Sequence, residues 1–149
     1  MPDASDRYAK AAASAWRIMF DLLMKSAPQR LESLQQRGLT PNDSRALFTL
    51  REAGEPISAL ARQWGNDAST ATWLVDRLER AGLAERVALE GDRRVKLVRL
   101  TGKGAVMKEA LLAEHYRPPV ELAGLSVGEL EELVRLLGKV ERPVSDEGI

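Results

Sequence analysis

The sequence predicts a mostly α-helical fold that carries one small β-hairpin. Apolar residues recur at spacings of three and four along most of the chain, which is the period of one face of an α-helix. Residues 84–100 depart from that period, because they are rich in valine and leucine and contain the turn signal EGDR at positions 90–93. The residues WGND, at positions 64–67, leave only a tight turn between two predicted helices. Together these observations predict a helix-turn-helix followed by a hairpin.

The composition is that of an ordinary globular protein and excludes several kinds of chemistry. The chain has 149 residues, enough for one domain, or for one small domain with additional helices. It contains no cysteine, which excludes a disulfide framework, a thiolate nucleophile and a cysteine redox sensor. Its 22 basic and 22 acidic residues cancel, which argues against a general polyanion binder but leaves room for a local basic surface. The amino end resembles no secretory signal and no apolar run reaches about 18 residues, so we expect a cytoplasmic protein.

The amino-terminal third reads as helices that end at proline and glycine. Residues 5–27 place apolar side chains on one helix face, and Pro28 is expected to end or restart that helix. A further turn or two should close at Gly38. The next helix has Thr40 as its N-cap and a proline at its first position, and we expect it to close at Gly54. The apolar face of the first helix consists of Tyr8, Ala12, Ala15, Trp16, Met19, Phe20 and Leu23.

The central residues predict two short helices and the hairpin. The segment PISALARQWG should form a helix that ends at Gly65, and Asp67 should cap a second helix that ends at Gly82. The second helix should bury Ala71, Leu74, Val75 and Leu78. We expect a two-stranded hairpin at roughly 84–90 and 94–100.

The carboxyl-terminal residues predict two further helices and a tail. Thr101 should cap a helix that stops before Pro118. Ser126 and Glu129 have the spacing of a capping box at the start of a last amphipathic helix. Residues 141–149 are expected to form a flexible tail.

Positive charge is concentrated at the predicted hairpin although the whole chain is neutral. The segment GDRRVKLVRLT and the residues after it set five cations, Arg93, Arg94, Lys96, Arg99 and Lys103, beside the single acid Asp92. The outward face of the preceding helix carries Ser69, Thr72, Trp73, Asp76, Arg77 and Arg80. Small hydroxyls near the start of that helix suit a close approach to a base edge or a phosphate. The two neighbouring elements therefore favour a nucleic-acid-binding surface.

Residues 68–104, ASTATWLVDRLERAGLAERVALEGDRRVKLVRLTGKG, resemble the recognition helix and wing of the MarR family of winged-helix regulators. The family's wing signature is an acid, one residue, an arginine, three residues and then aliphatic-x-Leu-Thr. It is matched by Asp92, Arg94, Val98, Leu100 and Thr101. The resemblance implies that residues 1–149 form one MarR-like chain, with a winged helix-turn-helix DNA-binding lobe at 39–104. It also implies that residues 5–37 and 105–140 are dimerisation helices.

The resemblance also implies a function and a set of DNA-contacting residues. A homodimer would bind a palindromic operator in double-stranded DNA and regulate transcription. Repression is the expected outcome. A small, often aromatic ligand would modulate the binding to DNA. Arg94 would enter the minor groove, held by Asp92, and Arg93 and Lys96 would contact phosphates. The recognition helix would contribute Ser69, Thr70, Thr72 and Arg77.

Several of these residues have a second interpretation. Ser69 or Thr70 could instead bond only to its own helix backbone. Trp73 departs from a common form of the family, in which a polar or basic residue often occupies this position. Its indole either packs on a thymine methyl or a sugar of the DNA, or covers the hairpin or the edge of the core. Trp16, Met19 and Phe20 either line a ligand pocket or form the dimer core. The rival function is a winged-helix protein-interaction module that has lost DNA binding, which Trp73 and the neutral charge favour and the basic wing opposes.

Signals for an enzyme, a cofactor or a metal are missing from the sequence. It contains no phosphate-binding glycine loop, no GxSxG and no HExxH. His115 is the single histidine, and without cysteine or clustered carboxylates it makes no transition-metal site. We therefore expect neither an enzyme nor a bound cofactor.

Overall fold

The computed structural model describes residues 3–141. The described residues divide into two compact units, residues 3–117 and residues 118–141. The first unit contains five α-helices within its described residues: α1 (Ala4–Gln36), α2 (Pro41–Thr49), α3 (Ile57–Trp64), α4 (Ala68–Arg80) and α5 (Gly102–His115). Its three-stranded antiparallel sheet consists of β1 (Glu55–Pro56), β2 (Ala84–Leu89) and β3 (Asp92–Leu100), in the order β1-β3-β2.

Helix α1 runs through Pro28, so the prediction that this proline ends or restarts the helix is wrong. Proline removes one backbone N–H from the helix interior, so the carbonyl four residues earlier, that of Met24, loses its usual donor. The neighbouring carbonyl of Leu23 accepts hydrogen bonds from the side chains of Ser26 at 2.9 Å and Arg30 at 3.2 Å. These side chains supply hydrogen bonds close to the proline, and the helix continues to Gln36.

Capping side chains determine where the central helices begin, as predicted. Thr40 and Asp43 form a reciprocal capping box at the start of α2, and Pro41 is the first helical residue. Helix α2 ends at Thr49, several residues before the predicted stop at Gly54. Helix α3 ends at Gly65, whose φ of 65° lies in the left-handed region that glycine adopts without strain. Asp67 then accepts a hydrogen bond from the backbone of Thr70 and starts α4, which completes the helix-turn-helix.

The sheet has one strand more than the predicted two-stranded hairpin. Glu55 pairs with Val98 and Pro56 with Leu97, so β1 lies along the outer edge of β3. Two residues that include a proline carry no alternating pattern, which is why the sequence gives no strand signal there. Strands β2 and β3 pair from Ala84 with Leu100 towards the turn, with an irregularity after Ala88.

The core of the first unit lies between α2, α3, α4, α5 and the sheet. Leu47, Leu60, Leu78 and Val98 are fully buried, and each comes from a different element. The predicted inward face of α4, namely Ala71, Leu74, Val75 and Leu78, is buried as expected. Trp64 is also buried, and its indole N–H donates to the hydroxyl of Thr49 at 2.8 Å.

The second unit contains a short 3₁₀-helix at Val120–Gly124 and α6 at Val127–Glu141. Ser126 and Glu129 exchange hydrogen bonds at the start of α6, as the capping-box spacing predicts. All but the first residue of the predicted flexible tail at 141–149 lies outside the described residues. None of the helices within residues 3–141 is both long and apolar enough to cross a membrane.

Candidate nucleic-acid interface

Helix α4 presents an exposed face near its amino end. Ser69, Thr70, Thr72 and Trp73 are all exposed, as a contacting surface requires. Asp67 caps the helix, and the hydrogen bonds that its carboxylate accepts from Thr70 hold the pKa of Asp67 below its ordinary value. The hydroxyl of Thr72 donates to the carbonyl of Ala68 at 2.8 Å, which leaves its lone pairs for an outside donor.

Arg77 lies on the same helix, but its guanidinium is held by a buried carboxylate of α2. The Nε and Nη2 atoms of Arg77 donate to the two carboxylate oxygens of Asp43 at 3.1 Å and 2.8 Å. Asp43 is 1% exposed and also completes the capping box with Thr40. Burial raises the pKa of Asp43, but hydrogen bonds from Arg77 and Thr40 outweigh it, so the pKa lies below its ordinary value. The role of Arg77 as a DNA contact stays a prediction, and in this structure its guanidinium connects α4 to α2.

Trp73 is 53% exposed and lies outside the buried core cluster. The guanidinium carbon of Arg77 lies 5.1 Å from the centre of its ring, within the range of a cation–π contact. Of the two interpretations, exposure therefore favours a contacting role over one that covers the core edge.

The tip of the β2–β3 hairpin (residues 90–96) exposes three cations. Arg93, Arg94 and Lys96 are exposed, and none forms an ion pair with the residues that the structure describes. Gly91 has a φ of 90°, which permits the tight turn. Asp92 accepts a hydrogen bond from the backbone N–H of Arg94 at 3.0 Å. The carboxylate thus shapes the backbone that carries Arg94, in contrast to the expected pairing with its guanidinium.

Arg86, which the sequence analysis did not single out, connects the hairpin to α4. Its Nη2 atom lies 2.7 Å from a carboxylate oxygen of Asp76, and its Nη1 atom pairs with Glu79. The backbone N–H of Arg86 also donates to Glu79 at 3.1 Å. Burial lowers the pKa of Arg86, but these carboxylates raise it above its ordinary value. The only sequence signal for this contact was a pair of acids, Asp76 and Glu79, which lie three residues apart on α4 and are followed by an arginine on the next strand.

The other two cations of the basic segment are engaged within the fold. Arg99 pairs with Glu85 at 2.9 Å, directly across the two strands. The Nζ atom of Lys103 donates to the carbonyl of Ala81 at 2.8 Å, at the end of α4. Of the five cations of this segment, those of the hairpin tip are the ones that bond to no other described residue through their side chains.

The structure contains a cavity away from the predicted ligand-pocket residues. Trp16, Met19 and Phe20 are exposed along α1, and Trp16 packs against Phe20 with ring centres 6.2 Å apart. A separate cavity of about 530 Å³ lies among α1, α2 and α5. Its lining includes Arg30, Leu31, Ser44, Arg45, Phe48 and His115, and none of the three predicted residues.

A polar network stands beside this cavity. Arg37 pairs with Glu114 at 2.6 Å, and Ser33 donates to the same carboxylate. The hydrogen bonds from Ser33 and Arg37 lower the pKa of Glu114. His115 packs edge-on against Phe48. Within residues 3–141, no group of three or more histidine, cysteine or carboxylate side chains is placed to hold a metal ion.

Comparisons with known proteins agree with this architecture. Residues 39–96 match the model of the MarR family. The transcriptional regulator PecS of Dickeya dadantii is 37% identical over 101 residues, which cover 64% of this chain and 61% of PecS. The chain thus spans about three fifths of the length of the curated relatives it matches.

Solved structures extend the similarity to nearly the whole chain. A MarR family protein from Bacillus stearothermophilus is 28% identical, with a TM-score of 0.69 and coverage of 90% of this chain and 93% of that one. A variant of MepR from S. aureus, solved bound to an oligodeoxyribonucleotide, is 25% identical, with a TM-score of 0.66 and coverage of 87% and 94%. Residues 39–96, which contain the helix-turn-helix and most of the hairpin, therefore form a MarR-family domain, and the chain shares the fold of a MarR family protein along nearly its full length.

Proposed function

We propose that the protein is a homodimeric, sequence-specific DNA-binding regulator that represses transcription. The observation that carries the proposal is the hairpin tip, where Arg93, Arg94 and Lys96 are exposed without an ion pair among the described residues. The tip is connected to the exposed face of α4 through Arg86, so the two surfaces are held together. The relative solved with an oligodeoxyribonucleotide supports a nucleic-acid ligand for this fold.

In the proposed complex, α4 enters the major groove and the hairpin tip reaches the flanking minor groove. A narrow minor groove concentrates negative potential, which suits the guanidinium of Arg94. Ser69, Thr70, Thr72 and Trp73 meet base edges or the backbone from α4, and Arg93 and Lys96 contact phosphates. Arg77 contributes by holding α4 in place. Two such lobes would read the half-sites of a palindromic operator about one helical turn apart, or somewhat more.

A homodimer is supported by the apolar surface that a single chain leaves uncovered. Trp16, Met19, Phe20 and Leu23 are exposed on one side of α1. Large contiguous apolar surface is uncommon on a monomeric soluble protein. Helix α6 separately exposes Val127, Val134, Leu136, Leu137 and Val140.

Modulation by a small ligand is part of the proposal, and the cavity among α1, α2 and α5 supports it. Its volume of about 530 Å³ is suited to a small organic molecule. It lies between a proposed dimerisation helix and the first helix of the DNA-binding lobe. The two DNA-binding lobes of the dimer would adopt different spacings with and without ligand. A ligand that binds one spacing more tightly than the other would change operator affinity by the difference between its two binding free energies.

The test is a fluorescence-anisotropy titration of the purified protein with random-sequence duplex DNA in low salt. We expect micromolar or tighter binding that weakens steeply as salt increases, because phosphate contacts release counterions. Arg94→Ala should weaken binding by roughly tenfold. Arg99→Ala is the matched control, because it removes the same charge from the same strand at a residue already paired with Glu85.

The outcome separates the regulator from the rival interaction module. Binding that is absent at 50 mM salt, or that Arg94→Ala and Arg99→Ala weaken equally, would contradict the proposed role of the hairpin tip. Absence of binding would favour a winged-helix module that recognises a protein partner.

A further inference from the structure

Trp73 occupies the middle of the exposed face of α4. Successive residues of an α-helix are rotated by about 100°, so Trp73 points almost directly away from Ala71 and Val75, which are fully buried. Ser69 lies one turn before it and Arg77 one turn after it. If α4 lies in the major groove, the indole is the side chain that projects furthest towards the bases.

The orientation of the indole is constrained by a neighbour whose own position is fixed. The guanidinium of Arg77 donates two hydrogen bonds, from Nε and Nη2, to Asp43, a carboxylate that is 1% exposed. Moving the guanidinium away would leave that buried carboxylate unpaired, so the pair holds Arg77 where it lies. The same guanidinium lies over the ring of Trp73, which supports the indole from one side while the remainder of the ring stays open.

We infer that Trp73 is a specificity-determining residue that reads the C5-methyl group of a thymine in each half-site. The inference rests on the proposed DNA-binding function and deepens it. Along the base edges of the major groove, the thymine methyl is the apolar group that an apolar side chain can contact. Of the exposed residues of α4, Ala68, Thr70 and Thr72 offer only methyl groups, so the indole of Trp73 is by far the largest apolar contact on this face.

The energetic consequence is small but measurable. Burying one methyl-sized group is worth a roughly fourfold change in affinity. Replacing thymine by deoxyuridine removes only this methyl and leaves the base pairing and the other groove contacts unchanged. The substitution therefore measures the proposed contact separately from the phosphate contacts of the hairpin tip.

The experiment begins with duplexes enriched by the wild-type protein from a random library. Each thymine of the enriched half-site is then replaced by deoxyuridine, at symmetric positions in both half-sites, and affinity is measured for wild type, Trp73→Ala and Trp73→Phe. We expect one position at which wild type loses roughly fourfold in affinity per half-site, whereas Trp73→Ala binds the two duplexes equally. Trp73→Phe should restore part of the discrimination. Circular dichroism checks that the variants fold. We expect them to fold, because Trp73 is exposed and lies outside the core.

Each other result has a definite meaning. If the wild type tolerates deoxyuridine at every position, or if Trp73→Ala discriminates as strongly as wild type, the inference is overturned while the DNA-binding proposal stands. If the indole packs on a sugar or phosphate instead, the wild type tolerates deoxyuridine at every position, and Trp73→Ala weakens binding to both duplexes alike. If no duplex is enriched, the proposed function fails and the inference fails with it.

Discussion

Asp43 is a carboxylate in a position where carboxylates are rare, since its side chain is buried against the helix-turn-helix. Its carboxylate accepts hydrogen bonds from the backbone N–H of Thr40 and from Arg77, while its own backbone N–H donates to the hydroxyl of Thr40. One ionised side chain thus caps α2 and anchors α4. Because its pKa in the folded protein lies below the ordinary value, the charged form is the one that stabilises the fold.

The sign of this linkage gives a prediction about pH. The stability due to ionised Asp43 is present in full above a pH of about 4, and it is lost as pH falls through the lower pKa of the folded state. Asp43→Asn should lower the free energy of unfolding by about 2 kcal/mol at pH 7, because it removes hydrogen bonds to a charged pair. Urea denaturation at pH 7, 5 and 3 should show that the difference from wild type narrows towards pH 3. A difference that stays constant over this range would contradict the assignment.

At the scale of elements, the start of α5 is pressed against the turn that precedes β2. The hydroxyl of Thr101 donates to the carbonyl of Gly82 at 2.6 Å and accepts from the N–H of Gly104 at 3.0 Å. A Cβ added at Gly104 would lie 1.8 Å from the carbonyl oxygen of Leu83, whereas one at Gly102 would meet no atom within 4 Å. Glycine at 104 therefore permits the close approach of helix and strand.

Two neighbouring substitutions test this packing. Gly104→Ala should lower the free energy of unfolding by about 2 kcal/mol, because the contact is with backbone that cannot turn away. Gly102→Ala, in the same turn of the same helix, should leave stability unchanged or raise it by up to about 1 kcal/mol, since alanine favours helix. The measurement is the urea midpoint of each variant. Equal midpoints for the two variants would show that the helix and the strand are not in close contact.

The elements that the sequence predicts well are those whose ends depend on neighbours along the chain. The caps at Thr40, Asp67 and Thr101 are each a side chain bonded to a backbone N–H three residues later, so they can be read locally. Continuation of α1 through Pro28 cannot be read from the proline itself, because a proline inside a helix either kinks it or breaks it. Strand β1 forms by pairing with the edge of β3, which comes about forty residues later in the chain. Neither the continuation of α1 nor this strand has a pattern in its own residues.

The candidate site divides in the same way. The exposure of Arg93, Arg94 and Lys96 follows from a charged hairpin turn, which is a local feature. The engagement of Arg77 by Asp43 joins residues 34 positions apart, and no spacing rule within one helix reveals it. The cavity among α1, α2 and α5 likewise depends on the packing of three separated helices.

At the scale of the whole molecule, the proposed dimer makes the exposed face of α1 an interface. Trp16 is 65% exposed in the single chain and stacks near Phe20. We expect the wild type to have twice the mass of one chain by light scattering after size exclusion. Trp16→Glu combined with Phe20→Glu should raise the dimer dissociation constant at least about a hundredfold, because two apolar side chains are replaced by buried charges.

Leu89→Glu is the matched control for this experiment. It places one glutamate, the same kind of side chain, at an exposed apolar residue of the hairpin, away from α1, and should leave the mass unchanged. A wild-type protein that remains monomeric at micromolar concentration would contradict the dimer. So would a doubly substituted variant that stays dimeric.

The contacts that Arg86 makes with Asp76 and Glu79 set a rule for engineering this protein. A chimera that receives only a foreign hairpin would place two carboxylates of α4 opposite an unrelated strand, and the alignment of the two parts proposed to face DNA would no longer be assured. Residues 68–100, with an arginine kept at position 77 for the buried Asp43, are therefore the smallest cassette to exchange when the proposed operator preference is to be transferred between relatives.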